Sequence, residues 1–117
     1  MVAIHITLIY YHNMIIQAKS EIEKNMEQKC DSVARVLKAL AHPQRLLILC
    51  TLASSEKTVG EIEKVCEASQ SAVSQFLNRM RLEGLVSSDK RGSFVYYKIA
   101  DPKVNKLIRS LYRIYCR

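Results

Sequence analysis

Several chemistries are missing from this 117-residue chain. The four cysteines, Cys30, Cys50, Cys66 and Cys116, form no Cys-x-x-Cys pair, and none has a histidine at metal-ligand spacing. That excludes a zinc knuckle and a thioredoxin-type redox motif. The three glycines stand apart from one another, so no cofactor-cradling loop is written and no cofactor is expected. The opening stretch MVAIHITLIYYHNMII is apolar, yet it lacks the positive start and small-residue cleavage site of a signal peptide. His5, His12 and Asn13 also interrupt it below membrane-spanning length. A cytoplasmic, reducing setting with no membrane contact is the expectation. Residues 1–13 hold no charge beyond what their histidines carry. They read either as translation from an upstream start, with Met14 or Met26 as working initiator, or as an added helix or strand that packs on a dimer partner.

Negative charge is scarce in the last third of the chain. Residues 1–78 carry eight basic and eight acidic side chains, whereas residues 79–117 carry ten basic and three acidic, so the whole net charge of +7 lies there. One-sided positive charge suits a polyanion, because each Lys or Arg that neutralises a phosphate releases counterions. Double-stranded DNA is the leading partner, set against a merely solvated basic face. The length fits one folded unit with a small core that gains from pairing.

Hydrophobic spacing predicts an amphipathic helix from Met14 to about Lys29, with Ile15, Ile22 and Met26 on its thin apolar side. A second helix spans about Asp31–Leu40 and breaks at His42-Pro43, where Pro43 opens the next. That third helix, PQRLLILCTLA, is apolar on nearly every side and reads as the buried spine, with Cys50 shielded inside it. Thr58 and Glu61 have capping-box spacing at the start of a short helix over Val59–Cys66. Residues 1–30 are expected to form an N-terminal extension and helix, and residues 31–117 the main domain.

The segment SQSAVSQFLNRMRLEGLV then places Val73, Phe76, Leu77 and Met80 on one stripe and Ser71, Ser74, Gln75 and Asn78 on the other, at 100° per residue. Short hydrogen-bonding side chains on one helix face are what base edges require. Gly84 is placed to end this helix in a left-handed cap. Leu85-Val86 and Phe94–Ile99 read as two strands joined through Asp89-Lys90-Arg91-Gly92, a hairpin with a basic tip. Asp101-Pro102 caps a final helix that runs to the end. It is apolar at Val104, Leu107, Ile108, Leu111, Tyr112, Ile114 and Tyr115, and basic at Lys103, Lys106, Arg109, Arg113 and Arg117. The expected fold is therefore mainly α with a small β-hairpin.

This order of elements, with LKALAHPQRLLIL, SQSAVSQFLNRMRLEGLV, YYKIADP and the terminal helix, resembles the ArsR/SmtB family of winged-helix repressors over about Asp31–Arg117. The resemblance implies a winged helix-turn-helix homodimer joined through its terminal helices, and a DNA affinity set by an inducer. It also implies DNA contact by Gln70, Ser71, Ser74 and Gln75, beside the Asn78 that shares their face. Arg81 is then a candidate phosphate contact, and Lys90 and Arg91 are candidates to enter or border the minor groove. Family members usually carry histidine where Phe76 stands. Phe76 lies on the apolar stripe and is expected to pack.

Metal sensing is the family's best-known use, but its ligands are replaced here. Thr58-Val59-Gly60 stands where the arsenic-type Cys-x-Cys pair is found. The zinc-type terminal helix keeps Asp101 but meets Lys103, Ile114 and Arg117 at its other ligand positions, so no metal is expected. The remaining candidate is a thiol pair, Cys50 on the spine and Cys116 on the last turn. Their placement resembles the persulfide- and redox-sensing branch of the family. It implies a repressor that binds its operator with both thiols reduced and releases it when reactive sulfur or an oxidant bridges them. Thiolates are the reactive species, and basic neighbours favour them. Cys66 is expected to pack, Cys30 to be an additional exposed thiol, and His42 to serve a turn. The rival readings are a metal-responsive repressor using other ligands such as Cys30 or Cys66, a thiol oxidoreductase, and a pure dimerisation module.

Overall fold

A computed structural model describes residues 2–116, the side chains of residues 16–19 apart. The elements are α1 (Val2–Glu27), α2 (Cys30–Leu40), α3 (Pro43–Ser54), β1 (Lys57–Thr58), α4 (Val59–Val65), α5 (Gln70–Leu82), β2 (Val86–Arg91), β3 (Phe94–Ile99) and α6 (Pro102–Tyr115). Two compact units divide at Arg35 and Val36. In the first, α1 is one continuous helix, so the uncharged opening and the charged stretch after Met14 share an element. Neither glycine nor proline interrupts Val2–Glu27, which leaves nothing in the backbone to stop it. No single helix among the described residues is long and apolar enough to cross a membrane.

The second unit holds the core. Ile48, Leu49 and Leu52 of α3 are buried together with Ile62 of α4, Val73, Leu77 and Met80 of α5, and Val104 and Ile108 of α6. Helices α3, α4, α5 and α6 each start on a cap that the sequence supplies. His42 Nδ1 accepts the Gln44 amide ahead of α3 (3.2 Å). Thr58 Oγ1 accepts from the Glu61 amide while Glu61 reaches back to Thr58, completing a capping box. Ser69 Oγ accepts the Ala72 amide, and Asp101 accepts that of Lys103. These side chains satisfy amides that a helix's first turn cannot pair.

Helix α5 ends as its glycine predicts. Gly84 adopts φ +77, its amide bonds Arg81 O, and the Leu85 amide bonds Met80 O at 2.9 Å. This double closure is a Schellman motif, and it folds Leu85 into the core at 5% exposure.

The hairpin is longer than the sequence suggests. Asp89, Lys90 and Arg91, expected in the connection, belong to β2, and the ladder runs from Val86↔Ile99 to Arg91↔Phe94. Only Gly92 and Ser93 turn, with Gly92 at φ +61, as a tight two-residue hairpin favours. β2 is polar because most of it faces solvent, so hydropathy alone does not mark it as a strand. A third strand, β1, pairs with β3 through Lys57↔Tyr97 and Thr58↔Tyr96, giving the order β1-β3-β2. Two residues are too short to show a period.

Ile48→Ala removes a fully buried side chain and is expected to cost about 2–5 kcal/mol, and Thr58→Ala about 1 kcal/mol through the lost cap. Urea denaturation reads both. An unchanged midpoint for Ile48→Ala contradicts this core.

Candidate DNA-reading surface and thiol cleft

Helix α5 separates its two faces as its spacing requires. Val73, Leu77 and Met80 are fully buried. Phe76 is half-buried against the core, with its ring centroid 4.8 Å from that of His42, so it packs. Gln70, Ser71, Ser74, Gln75, Asn78 and Arg81 are all exposed. They present amides, hydroxyls and one guanidinium on the side away from the core. Asn78 Oδ1 accepts from Arg81 Nη2 at 2.8 Å, which leaves the Asn78 amide group as a donor. Arg79, on the same last turn, pairs with Glu83 at 3.2 Å.

At the wing, Lys90 and Arg91 differ in how their charge is spent. Lys90 is exposed and lies opposite Val95 in the ladder. Arg91 lays its guanidinium along the exposed sheet surface, where it is paired. Nη1 and Nη2 meet both Glu56 carboxylate oxygens at 2.8 and 2.6 Å, Nε meets Asp89 at 2.9 Å, and the group lies 4.3 Å from the centre of the Tyr96 ring. The Arg91 hydrogen bonds hold the Glu56 carboxyl below its usual range, with Lys98 adding to the effect. Sequence reasoning missed Glu56 because its partner is 35 residues away.

On the other side of α3, a cleft of about 340 Å³ is lined by Cys50, Ala53, Ser54, Ile108, Arg109, Tyr112 and Arg113. Cys50 is exposed in the protomer, which corrects the expectation that it is shielded. The core takes Ile48, Leu49 and Leu52, while α6 covers α3 only partly and leaves the cleft open. An all-round apolar run cannot say which of its sides is covered. Partial burial by the cleft walls raises the Cys50 thiol pKa, and the charge of Cys116 raises it further. Both are free, and Cys116 is exposed as the C-cap of α6. Arg109 fixes the cleft wall, donating to Asn105 Oδ1 at 2.7 Å and to the Ala53 carbonyl at 2.9 Å. Arg117 lies outside the described residues.

The remaining cysteines differ from this pair. Cys66 caps α4 and packs against the core, where burial raises its pKa. Cys30 is exposed at the first position of α2. Among the described residues, no group of three or more His, Cys, Asp or Glu side chains is placed to hold a metal ion.

A winged arrangement of α4, a tight connection, α5 and a hairpin is also what known proteins share with this chain. The model of the arsR family of bacterial regulatory proteins matches residues 42–88. The biofilm growth-associated repressor of Agrobacterium fabrum is 41% identical over 91 residues, covering 78% of each chain. The chain belongs to the arsR family. Its structure superimposes on that of the transcriptional repressor BigR from Xylella fastidiosa with a TM-score of 0.76 at 35% identity, covering 81% of this chain and 97% of that one. A homodimeric winged helix-turn-helix DNA-binding domain from Mycobacterium bovis matches with a TM-score of 0.66 at 34% identity, over 79% and 83% of the two chains. The arsR-family member described here is thus a transcriptional regulator and not an enzyme.

If α5 reads bases, Gln75→Ala lowers operator affinity by about 1–3 kcal/mol and spares random DNA, whereas Lys90→Ala weakens both and flattens the salt dependence by about one unit. Fluorescence anisotropy across a salt series measures the two effects. Equal losses on both DNAs for Gln75→Ala contradict base reading.

Proposed function

We propose that this regulator is a homodimeric transcriptional repressor whose operator affinity is set by the oxidation state of Cys50 and Cys116. Each protomer offers α5 to a major groove, with Gln70, Ser71, Ser74, Gln75 and Asn78 toward base edges and Arg81 and Lys90 toward phosphate. Arg91 sits at the wing's end with its guanidinium turned into carboxylates, so its share in DNA contact is the smaller. The apolar side of α6 supplies the pairing surface. Tyr112, Ile114 and Tyr115 are 58%, 68% and 80% exposed in the protomer, more apolar area than one helix end leaves to water without a partner.

The observation that carries the sensing half is that Cys50 opens onto a cleft walled by α6, while Cys116, equally exposed, caps the end of that same helix. An organic persulfide, R–S–SH, is a reagent that fits. The Cys116 thiolate attacks the outer sulfur, the S–S bond of the reagent breaks, and R–S⁻ leaves and takes a proton as RSH. Cys50, as its thiolate, then attacks Cys116 Sγ and expels hydrosulfide, which leaves as H₂S. Two thiols are oxidised to a disulfide, and one persulfide is reduced to RSH and H₂S. Retaining sulfur in a longer bridge consumes further persulfide as oxidant.

A bridge ties α3 to the end of α6. In a dimer the two α5 helices must match major grooves about 34 Å apart, so a small change in how α3 carries α5 and the wing alters the fit. A coupling of about 1–3 kcal/mol changes affinity by about 5- to 150-fold.

Persulfide is expected to lower the operator affinity of the wild type by this factor and to leave Cys50→Ser and Cys116→Ser bound. A full response in either mutant overturns the paired-thiol reading, and loss in both through Cys30 or Cys66 modification, read by mass spectrometry, assigns the sensing elsewhere.

A further inference from the structure

The wing and the thiol cleft meet at one short stretch, Ala53–Glu56. From the cleft side, Arg109 of α6 grips the Ala53 carbonyl at 2.9 Å, and Ala53 and Ser54 line the cleft together with Cys50. From the wing side, Glu56 receives both terminal nitrogens of Arg91, the last residue of β2. The end of α3 is thereby held on one hand by the helix that leads to Cys116 and on the other by the outer end of the wing.

We propose that the Glu56–Arg91 ion pair is the link through which bridging of Cys50 and Cys116 reaches the wing. The inference rests on the thiol-pair reading above and adds its route. A bidentate carboxylate–guanidinium pair fixes orientation as well as distance, because both groups are planar and their two bonds run parallel. Asp89 on Nε and the Tyr96 ring beneath the guanidinium leave Arg91 little freedom to absorb a displacement of Glu56. A bridge that draws Cys50 toward the end of α6 moves the last turn of α3. Glu56 carries that movement to Arg91, and the outer end of β2, with Lys90 on it, follows. Glu56 and Arg91 are positioning residues in this account, and Lys90 is the side chain they place. The ladders hold β3 to β1 and β2 to β3, while the ion pair ties β2 directly to the segment that follows α3.

A merely structural staple weakens DNA binding without changing how much the bridge matters. The decisive quantity is therefore the ratio of operator dissociation constants, bridged over reduced, with the bridge verified by intact mass. Glu56→Gln, which keeps the shape and removes the charge, and Arg91→Lys, which keeps the charge and removes the fork, are each expected to shrink that ratio by about 2- to 30-fold, and no lower than one. The double variant is expected to shrink it no further than either single one. Asp89→Asn keeps an oxygen acceptor for Arg91 Nε and leaves both Glu56 bonds in place, and is expected to retain the wild-type ratio. A ratio that survives Glu56→Gln and Arg91→Lys, with both forms weakened equally, overturns the link and leaves a plain staple. Tighter binding of both forms by Glu56→Gln at an unchanged ratio also overturns it, and makes Arg91 a DNA contact that Glu56 restrains. A wild-type ratio of one sinks the thiol-pair reading itself, whereas a normal wild-type ratio preserved in both variants sinks the link alone.

Discussion

Everything in the regulatory unit leans on the burial of one side of α3. Ile48, Leu49 and Leu52 lie between the helices that carry the reader and the helix that ends at Cys116. Fully burying side chains of this size is worth about 1.5–3 kcal/mol each, a large part of the stability of a small domain. Because this wall is packed from two directions, a displacement at one face is felt at the other; packed interiors shift between arrangements more readily than they compress. The same helix that makes the fold stable carries Cys50, packs on the helix that ends at Cys116, and shares a core with the buried face of α5.

Charge is organised around that wall with comparable economy. The ten basic residues after Asn78 are not equally available to DNA. Arg79 is answered by Glu83, Arg91 by Glu56 and Asp89, and Arg109 by a carbonyl and an amide oxygen of the protein itself. Lys90 and, the Asn78–Arg81 bond apart, the exposed polar side of α5 keep their hydrogen-bonding capacity for a ligand. A net-charge count identifies the kind of partner, and only the ion-pair geometry tells which cations can meet it.

Much of this was legible in the residues because local rules govern it. The capping box at Thr58, the two-faced pattern of α5, the glycine that closes it and the Asp-Pro start of α6 each depend on neighbours within a few positions. What the sequence left open depends on contacts from afar. α3 is apolar all round, so no periodicity shows that Cys50 opens onto a cleft. β2 is nearly all polar and β1 has two residues, so neither carries the alternation that marks a half-buried strand, and the turn lies beyond the basic stretch that resembles one. The pairing of Arg91 with Glu56 has no local signature. The exposed face of α5 coincides with the residues expected to read DNA, but exposure gives them the opportunity and their role is the proposal.

The central claim is that bridging one thiol pair releases DNA. It is tested most directly by adding a persulfide stepwise to the operator complex of the full chain and following anisotropy and intact mass on the same samples. The account predicts that bound operator falls in proportion to the protomers that have lost two thiol hydrogens, with the bond mapped to Cys50 and Cys116, and that a reducing thiol restores binding. Operator that stays bound on fully bridged protein, or that leaves while both thiols remain free, contradicts it.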